Sequence, residues 1–200
     1  MNPERVGASL DVRPLTPERF PDLVALFEEG GDPKWCWCTY FRVRGRDWSN
    51  STAAGNRAEL AGRAEREDVA PGLLAYRDGR VVGWVSLGPR EDYERLTTSR
   101  ILAAIDDTPV WSIVCFVVSR RVRGEGIATR LLAAAIDYAR DHGATMLEAY
   151  PVDTAGGRVP AANAYHGTLP MFERAGFEVV ERRQWNATSP VRPIVRLALR

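Results

Sequence analysis

The stretch Arg120–Arg140, RRVRGEGIATRLLAAAIDYAR, sets arginines around two glycines and then runs into an alanine-rich helical pattern. Just before it, VWSIVCFVVS (110–119) is almost unbroken apolar sequence, the pattern of a strand covered on both faces. The helical pattern covers about 128–142, with Leu131, Leu132, Ala135, Tyr138 and Ala139 on one broad face and Gly143 as its C-terminal cap. TMLEAYPV (145–152) reads as the next strand. Strand, helix and strand make a crossover unit, so the two strands are expected to be parallel with the helix packed across them.

A glycine-bearing basic loop that opens a helix suits an anion. Unpaired amides point out of the first turn, and the helix dipole adds about half a positive charge there. Glycine lets main chain approach a phosphate closely. Arg120, Arg121, Arg123 and Arg130 add side-chain donors at the same place, so a diphosphate is favoured. A P-loop would need Gly-Lys-Ser/Thr, which GEGIATR lacks. A Rossmann fingerprint would need a small residue where Thr129 stands, and it usually opens a doubly wound domain. A glycine pair alone also fits a plain turn with solvated arginines. The succession of buried strand, basic loop, small-residue helix start and returning strand favours the ligand.

Working outward, LDVRPL (10–15) alternates as a short strand. TPERFPDLVALFEEGG (16–31) reads as a helix with Thr16 as cap, Pro17 in the first turn and a stop at Gly30-Gly31. DPKWCWCTYFRVRGRDW (32–48) is irregular and aromatic, and SNSTAAGNRAELAGRAERE (49–67) is a polar helix starting near Ser49 or Ser51. GLLAYRDGRVVGWVSLG (72–88) is a hairpin about Asp78-Gly79. Residues 89–109 form a charged connection with room for a short helix. TLPMFERAG (168–176) reads as a short helix capped by Thr168, and FEVVERR (177–183) and RPIVRLALR (192–200) as strands able to pair antiparallel. The loosest loop is 153–165.

Lys plus Arg total 27 against 26 Asp plus Glu, so there is no general basic field and nucleic acid is not expected as a partner. No run approaches the roughly 18 apolar residues of a membrane span, and MNPERVGASLDVRP lacks the apolar core of a signal peptide. A cytoplasmic protein without membrane attachment is expected. Cys36, Cys38 and Cys115 are too few for a disulfide framework. No metal is expected either, because a zinc site wants about four ligands and His142 and His166 lie in unrelated contexts. The length of 200 residues fits one domain, 1–200, with its core from about residue 10.

On these elements the sequence resembles the GNAT superfamily of acyl-CoA-dependent N-acyltransferases. The family's phosphate loop, Q/R-x-x-G-x-G/A, is matched by Arg123-Gly124-Glu125-Gly126-Ile127-Ala128 and, in an overlapping register, by Arg121 to Gly126. The first register puts Ala128 at the helix start. The family's last signature, an aromatic followed shortly by Gly-Phe, is matched by MFERAGF (171–177), and the order of elements agrees from Leu10 onward. The resemblance implies an α/β (α+β) fold: a mixed, mostly antiparallel sheet, flanked by helices, whose two parallel central strands splay apart. It implies an N-acetyltransferase that takes acetyl-CoA as donor and a primary amine, on a small molecule or a protein, as acceptor by direct attack. The pantetheine arm is expected along Cys115 to Ser119, including Phe116, Val117 and Val118, and the pyrophosphate on the amides of 123–129. Arg121, Arg123, Gly124, Glu125, Gly126, Ile127, Ala128 and Thr129 are thus candidate binding residues, joined by Phe172 from the final helix. A main-chain N–H near Phe116 or Val117 would polarise the thioester carbonyl.

Two positions depart from the family. Its leaving-group tyrosine is replaced by Phe172, leaving Tyr165 or Tyr150 as substitutes, although either also reads as an amphipathic aromatic lining a loop. Its glutamate at the start of the first central strand is missing from Pro109–Ser112. Glu148 is the leading candidate base, since strand alternation points it opposite Leu147, with Asp106 and Asp107 behind it; solvated carboxylates are the plainer reading. Residues 31–62 correspond to the acceptor side, where Trp35, Trp37, Tyr40, Phe41 and Trp48 either pack together in the core or wall an acceptor pocket. Cys115 reads as a small core residue without a histidine partner, which argues against a covalent acyl-enzyme. A non-catalytic acyl-CoA-binding sensor is the alternative function. Both a monomer and a homodimer are compatible with the sequence.

Overall fold

The computed structural model describes residues 10–66, 68–154, 165–184 and 186–200. Seven strands form one sheet: β1 (Leu10–Pro14), β2 (Gly72–Arg77), β3 (Arg80–Pro89), β4 (Trp111–Val118), β5 (Met146–Ala149), β6 (Glu178–Arg183) and β7 (Arg192–Ala198). Their order across the sheet is β1-β2-β3-β4-β5-β7-β6. The β4–β5 pair is parallel and every other pair antiparallel, as a crossover helix between two adjacent strands requires. The helices are α1 (Phe20–Phe27), α2 (Pro33–Cys36), α3 (Ala53–Arg66), α4 (Glu94–Thr98), α5 (Ile127–Asp141) and α6 (Leu169–Arg174).

Strand alternation divides the interior between the two faces of the sheet. Leu73, Val85, Phe116 and Leu147 meet Leu131, Leu132 and Ala135 of α5 and Phe172 of α6 on one face. Their neighbours Leu74, Trp84 and Val117 meet Leu23 and Phe27 of α1, Trp37 and Leu60 on the other. The first turn of α5 lies close to the sheet because residue 83 is glycine. A Cβ there would stand 2.8 Å from Ile127 Cγ2 and 2.9 Å from Leu131 Cδ1.

Local details differ from the sequence reading at the helix starts. Thr16 makes no side-chain cap bond, and Pro17–Arg19 form a separate 3-10 turn. Pro21 has no N–H to give the Pro17 carbonyl, so Phe20 N–H takes it and α1 begins one turn late. Ser49 falls inside the 3-10 turn Gly45–Asn50; the oxygen that caps α3 is Thr52 Oγ1, which accepts from Gly55 N–H at 3.1 Å. Thr168 precedes α6 without a side-chain bond. At the hairpin, Asp78 and Gly79 both have positive φ, 51° and 73°, as a tight two-residue turn demands. Most of the loose 153–165 loop lies outside the described residues.

Two irregularities shape the middle of the sheet. Pairing of β4 with β5 runs only from Trp111 to Ile113, although β4 continues to Val118. At the same point Ser86 pairs with Cys115 but Leu87 with Ile113, so Val114 is the extra residue of a bulge. The parallel pair therefore opens beyond Ile113.

Candidate active site

The loop between β4 and α5 folds as an open cradle. Gly124 and Gly126 have φ of 83° and 79°, values that any side chain resists, and a Cβ on either would meet nothing within 4 Å. These glycines answer to backbone conformation, and no described residue stands in front of them. The amides of Gly124, Gly126, Ile127, Ala128 and Thr129 have no protein acceptor among the described residues; the intrahelical ladder starts with Arg130 N–H donating to the Gly126 carbonyl. Unclaimed N–H groups at a helix start are what an anion needs.

This cradle forms one end of a cavity of about 360 Å³, lined by Phe116 and Val118 of β4, Arg123, Gly124, Gly126, Ile127, Ala128 and Thr129 of the loop, and Tyr165, Gly167, Thr168, Met171 and Arg174 opposite. Ser119 N–H bonds the Val82 carbonyl of β3, so alternation turns the main chain of Phe116 and Val118 the other way, onto the open edge of β4. The Val118 carbonyl there accepts from Arg123 Nε at 3.4 Å. Gly167 is forced by crowding: a Cβ would lie 2.7 Å from Met171 Cε and 2.8 Å from Phe172 Cε2.

Several expected residues are not in the lining of this cavity. Phe172 is fully buried, edge-on to Phe116 and Phe177, and the cavity is lined by its neighbour Met171 instead. The Val117 side chain points to the opposite core by strand alternation. Arg121 is exposed, and Glu125 is ion-paired with Arg77 on the outside of the loop. Glu148 lies beneath the surface. Its carboxylate is 0% exposed and accepts from Arg90 Nη1 (2.7 Å), Tyr150 Oη (2.7 Å) and Arg196 Nε (2.9 Å), so its oxygens are already engaged by protein donors. Asp106 is held by Arg196 Nη1 at 2.7 Å, and that bond draws its acid down to about 2. Tyr150 Oη is enclosed by Arg90, Glu148 and Ser112, and burial beside Glu148 pushes its phenol up.

A second cavity, of about 490 Å³, opens on the other side of the strand gap. Its walls include Tyr40, Phe41, Arg95, the 98–102 segment, Tyr150, His166 and Arg192. The two cavities meet across consecutive residues: Tyr165 and Gly167 line the first, His166 the second. The His166 ring fills the opened strand pair, with Nδ1 3.0 Å from the Val114 carbonyl. A carbonyl only accepts, so Nδ1 carries the proton and Nε2 keeps a lone pair. Burial, with help from the charge of Arg192, holds the imidazole down to about 4, so it is neutral at pH 7. The sequence reading passed over His166, since no local pattern separates it from a surface histidine. Its position is set by the strand gap beside it. Tyr165 Oη lies against the Gly31–Asp32 main chain, and burial raises its phenol, which stays protonated.

The aromatic segment divides its residues between the core and the wall of the second cavity. Trp37 and Phe41 are buried, Trp37 against Phe20 and Phe27. Tyr40 stacks edge-on to Trp48 and lines the second cavity. Trp37 and Cys38 both take left-handed φ, 45° and 53°, which drives Cys38 Sγ inward to 3.3 Å from Cys115 Sγ, beneath the Trp84 indole N–H. Among the described residues no cluster of three or more metal-ligating side chains occurs, and no helix is long and apolar enough to cross a membrane.

Comparison with known proteins agrees with this layout. The profile of the Acetyltransferase (GNAT) family matches residues 33–177. The chain belongs to that family. Among solved structures it is similar to an N-acetyltransferase from Staphylococcus aureus Mu50 (15% identity, 96% of this chain and 99% of that one, TM-score 0.56). It also resembles the Drosophila melanogaster polyamine N-acetyltransferase that forms N-acetylagmatine (13%, 96% and 100%, TM-score 0.59). A third likeness is to the Escherichia coli ribosomal-protein-S18-alanine N-acetyltransferase (14%, 96% and 94%, TM-score 0.53). At these identities the likeness is one of fold. No curated protein sequence matches significantly.

Proposed function

We propose that the chain is an acetyl-CoA-dependent N-acetyltransferase whose acceptor, a primary amine, enters through the second cavity. The observation that carries this reading is the set of unclaimed amides at 124 and 126–129 at the mouth of a cleft that leads to the strand gap. Those amides and Arg123 would hold the pyrophosphate, and the open edge at Phe116 and Val118 would pair with the pantetheine arm. Acetyl-CoA supplies an activated acetyl thioester. Phe116 N–H is oriented to donate to the carbonyl oxygen as negative charge develops there. Nitrogen attacks from the His166 side, the C–N bond forms and the C–S bond breaks. His166 Nε2 is available to take the ammonium proton, because a nitrogen bonding to a carbonyl carbon is far more acidic than a free ammonium. Tyr165, a protonated phenol lining the donor cavity, is the candidate donor to the departing thiolate.

A sensor that binds acyl-CoA without turnover is favoured by two observations: Phe172 replaces the phenol, and Glu148 is clamped by arginines. Release of free thiol from acetyl-CoA over a panel of amines separates the readings. Thiol release with at least one amine supports the enzyme; tight acetyl-CoA binding with no thiol from any amine supports the sensor.

A further inference from the structure

We propose that the acceptor is a small amine that also carries an anionic group, a carboxylate or an equivalent acid, bound by the arginines of the second cavity. This rests on the acetyltransferase reading above and adds the charge of the substrate to it. Arg95, Arg100 and Arg192 line that cavity, and among the described residues no Asp or Glu does. The nearby carboxylates are committed elsewhere: Glu148 to Arg90 and Arg196, Glu181 to Arg183, Glu94 to Arg44.

Two of the three guanidinium groups, in a partly dehydrated place, have no counter-ion among the described residues. Arg95 lies 3.8 Å over the Tyr40 ring and donates Nε to the Tyr40 carbonyl at 2.6 Å, yet its Nη2 is buried and bonded to nothing. Arg192 is partly buried, with one long bond of 3.4 Å from Nη1 to the Tyr150 carbonyl and no acid partner among the described residues. A buried guanidinium without an anion is costly, and a planar acid offers paired acceptors to its fork of donors. A dicationic acceptor would meet like charge at the same wall. The cavity, about 490 Å³, is of small-molecule size, and His166 at its inner end leaves the arginines for the acid and the strand gap for the amine.

The test uses matched amines that differ in the acid: phenylalanine, phenylalaninamide and 2-phenylethylamine in one set, 4-aminobutyrate, 1-aminobutane and 1,4-diaminobutane in the other. Thiol release is measured on the full chain with acetyl-CoA, and calorimetric binding with and without acetyl-CoA. The expected result is that in at least one set the acid exceeds both of its acid-free partners by about tenfold or more in kcat/KM or affinity. Arg192→Gln, and separately Arg95→Gln, should remove that preference while the KM for acetyl-CoA stays unchanged. Equal or better use of the acid-free amines in both sets overturns the assignment, as does the absence of calorimetric binding by both acids. Failure to bind acetyl-CoA at all would instead sink the acetyltransferase reading, so the two failures are distinguishable.

Discussion

His166 Nδ1 stands 3.0 Å from the carbonyl of Val114, the residue that bulges from β4 where its pairing with β5 ends. The ring thereby takes over a main-chain acceptor that the neighbouring strand has given up. It also fixes its own tautomer, with Nε2 unprotonated.

Asn can keep the donor toward Val114 but has nothing at the Nε2 position. His166→Asn should therefore lower kcat by about 10²-fold, the usual scale for a general base, while acetyl-CoA affinity stays within about twofold. Steady-state kinetics with calorimetry checks this. An unchanged kcat would remove His166 from proton transfer.

The same histidine makes stability depend on pH. Its folded value of about 4 lies below the ordinary 6.5, so the unfolded chain binds more protons between those values. Stability contributed by the neutral ring is present above pH 6.5 and lost as pH falls toward 4. The melting temperature of the parent should fall through that window, and His166→Asn should flatten part of the slope. Identical slopes would show that other groups govern the acid limb.

Replacing Arg123 and Gly126 together with Glu should abolish most coenzyme affinity by putting like charge into the anion cradle and a side chain where φ is 79°. Both residues are exposed, so the circular dichroism spectrum should not change. Retained acetyl-CoA binding in a folded variant would mean that the cradle is not the phosphate site.

Glu148→Gln separates structure from catalysis. Removing the charge leaves Arg90 and Arg196 facing a neutral amide in a buried network, at a cost of about 3 kcal/mol. The melting temperature should drop markedly, whereas kcat of the folded fraction, measured at low temperature, should stay within about threefold. A selective collapse of kcat without loss of stability would restore Glu148 as the base.

The fold was legible where periodicity is strong. Hydrophobic runs and the Asp78-Gly79 turn located the hairpin and the crossover unit, and RGEGIA located the cradle at the start of α5. Helix starts were less so, because Pro21 and Thr52 act through single hydrogen bonds that pattern does not encode. The surroundings of the second cavity were the least legible. The bulge at Val114, the burial of Phe172 and the pairing of Glu148 with Arg90 across 58 positions depend on how strands are brought together. Alternation correctly put Glu148 on the face away from Leu147, but could not reveal the two arginines waiting there.

Arg90 reaches from Glu148 and Tyr150 to the carbonyls of Leu96 and Leu102. The rim of the second cavity is thus anchored at its two ends to the sheet, with Thr98, Ser99, Arg100 and Ile101 between them and the Ile101 carbonyl held in turn by Arg183 Nη1 at 3.2 Å. Because those bonds go to main-chain carbonyls, the four side chains can be exchanged without disturbing the cradle before α5. In this lineage, new acceptor preferences should arise by drift along those four positions sooner than by change anywhere in the loop before α5.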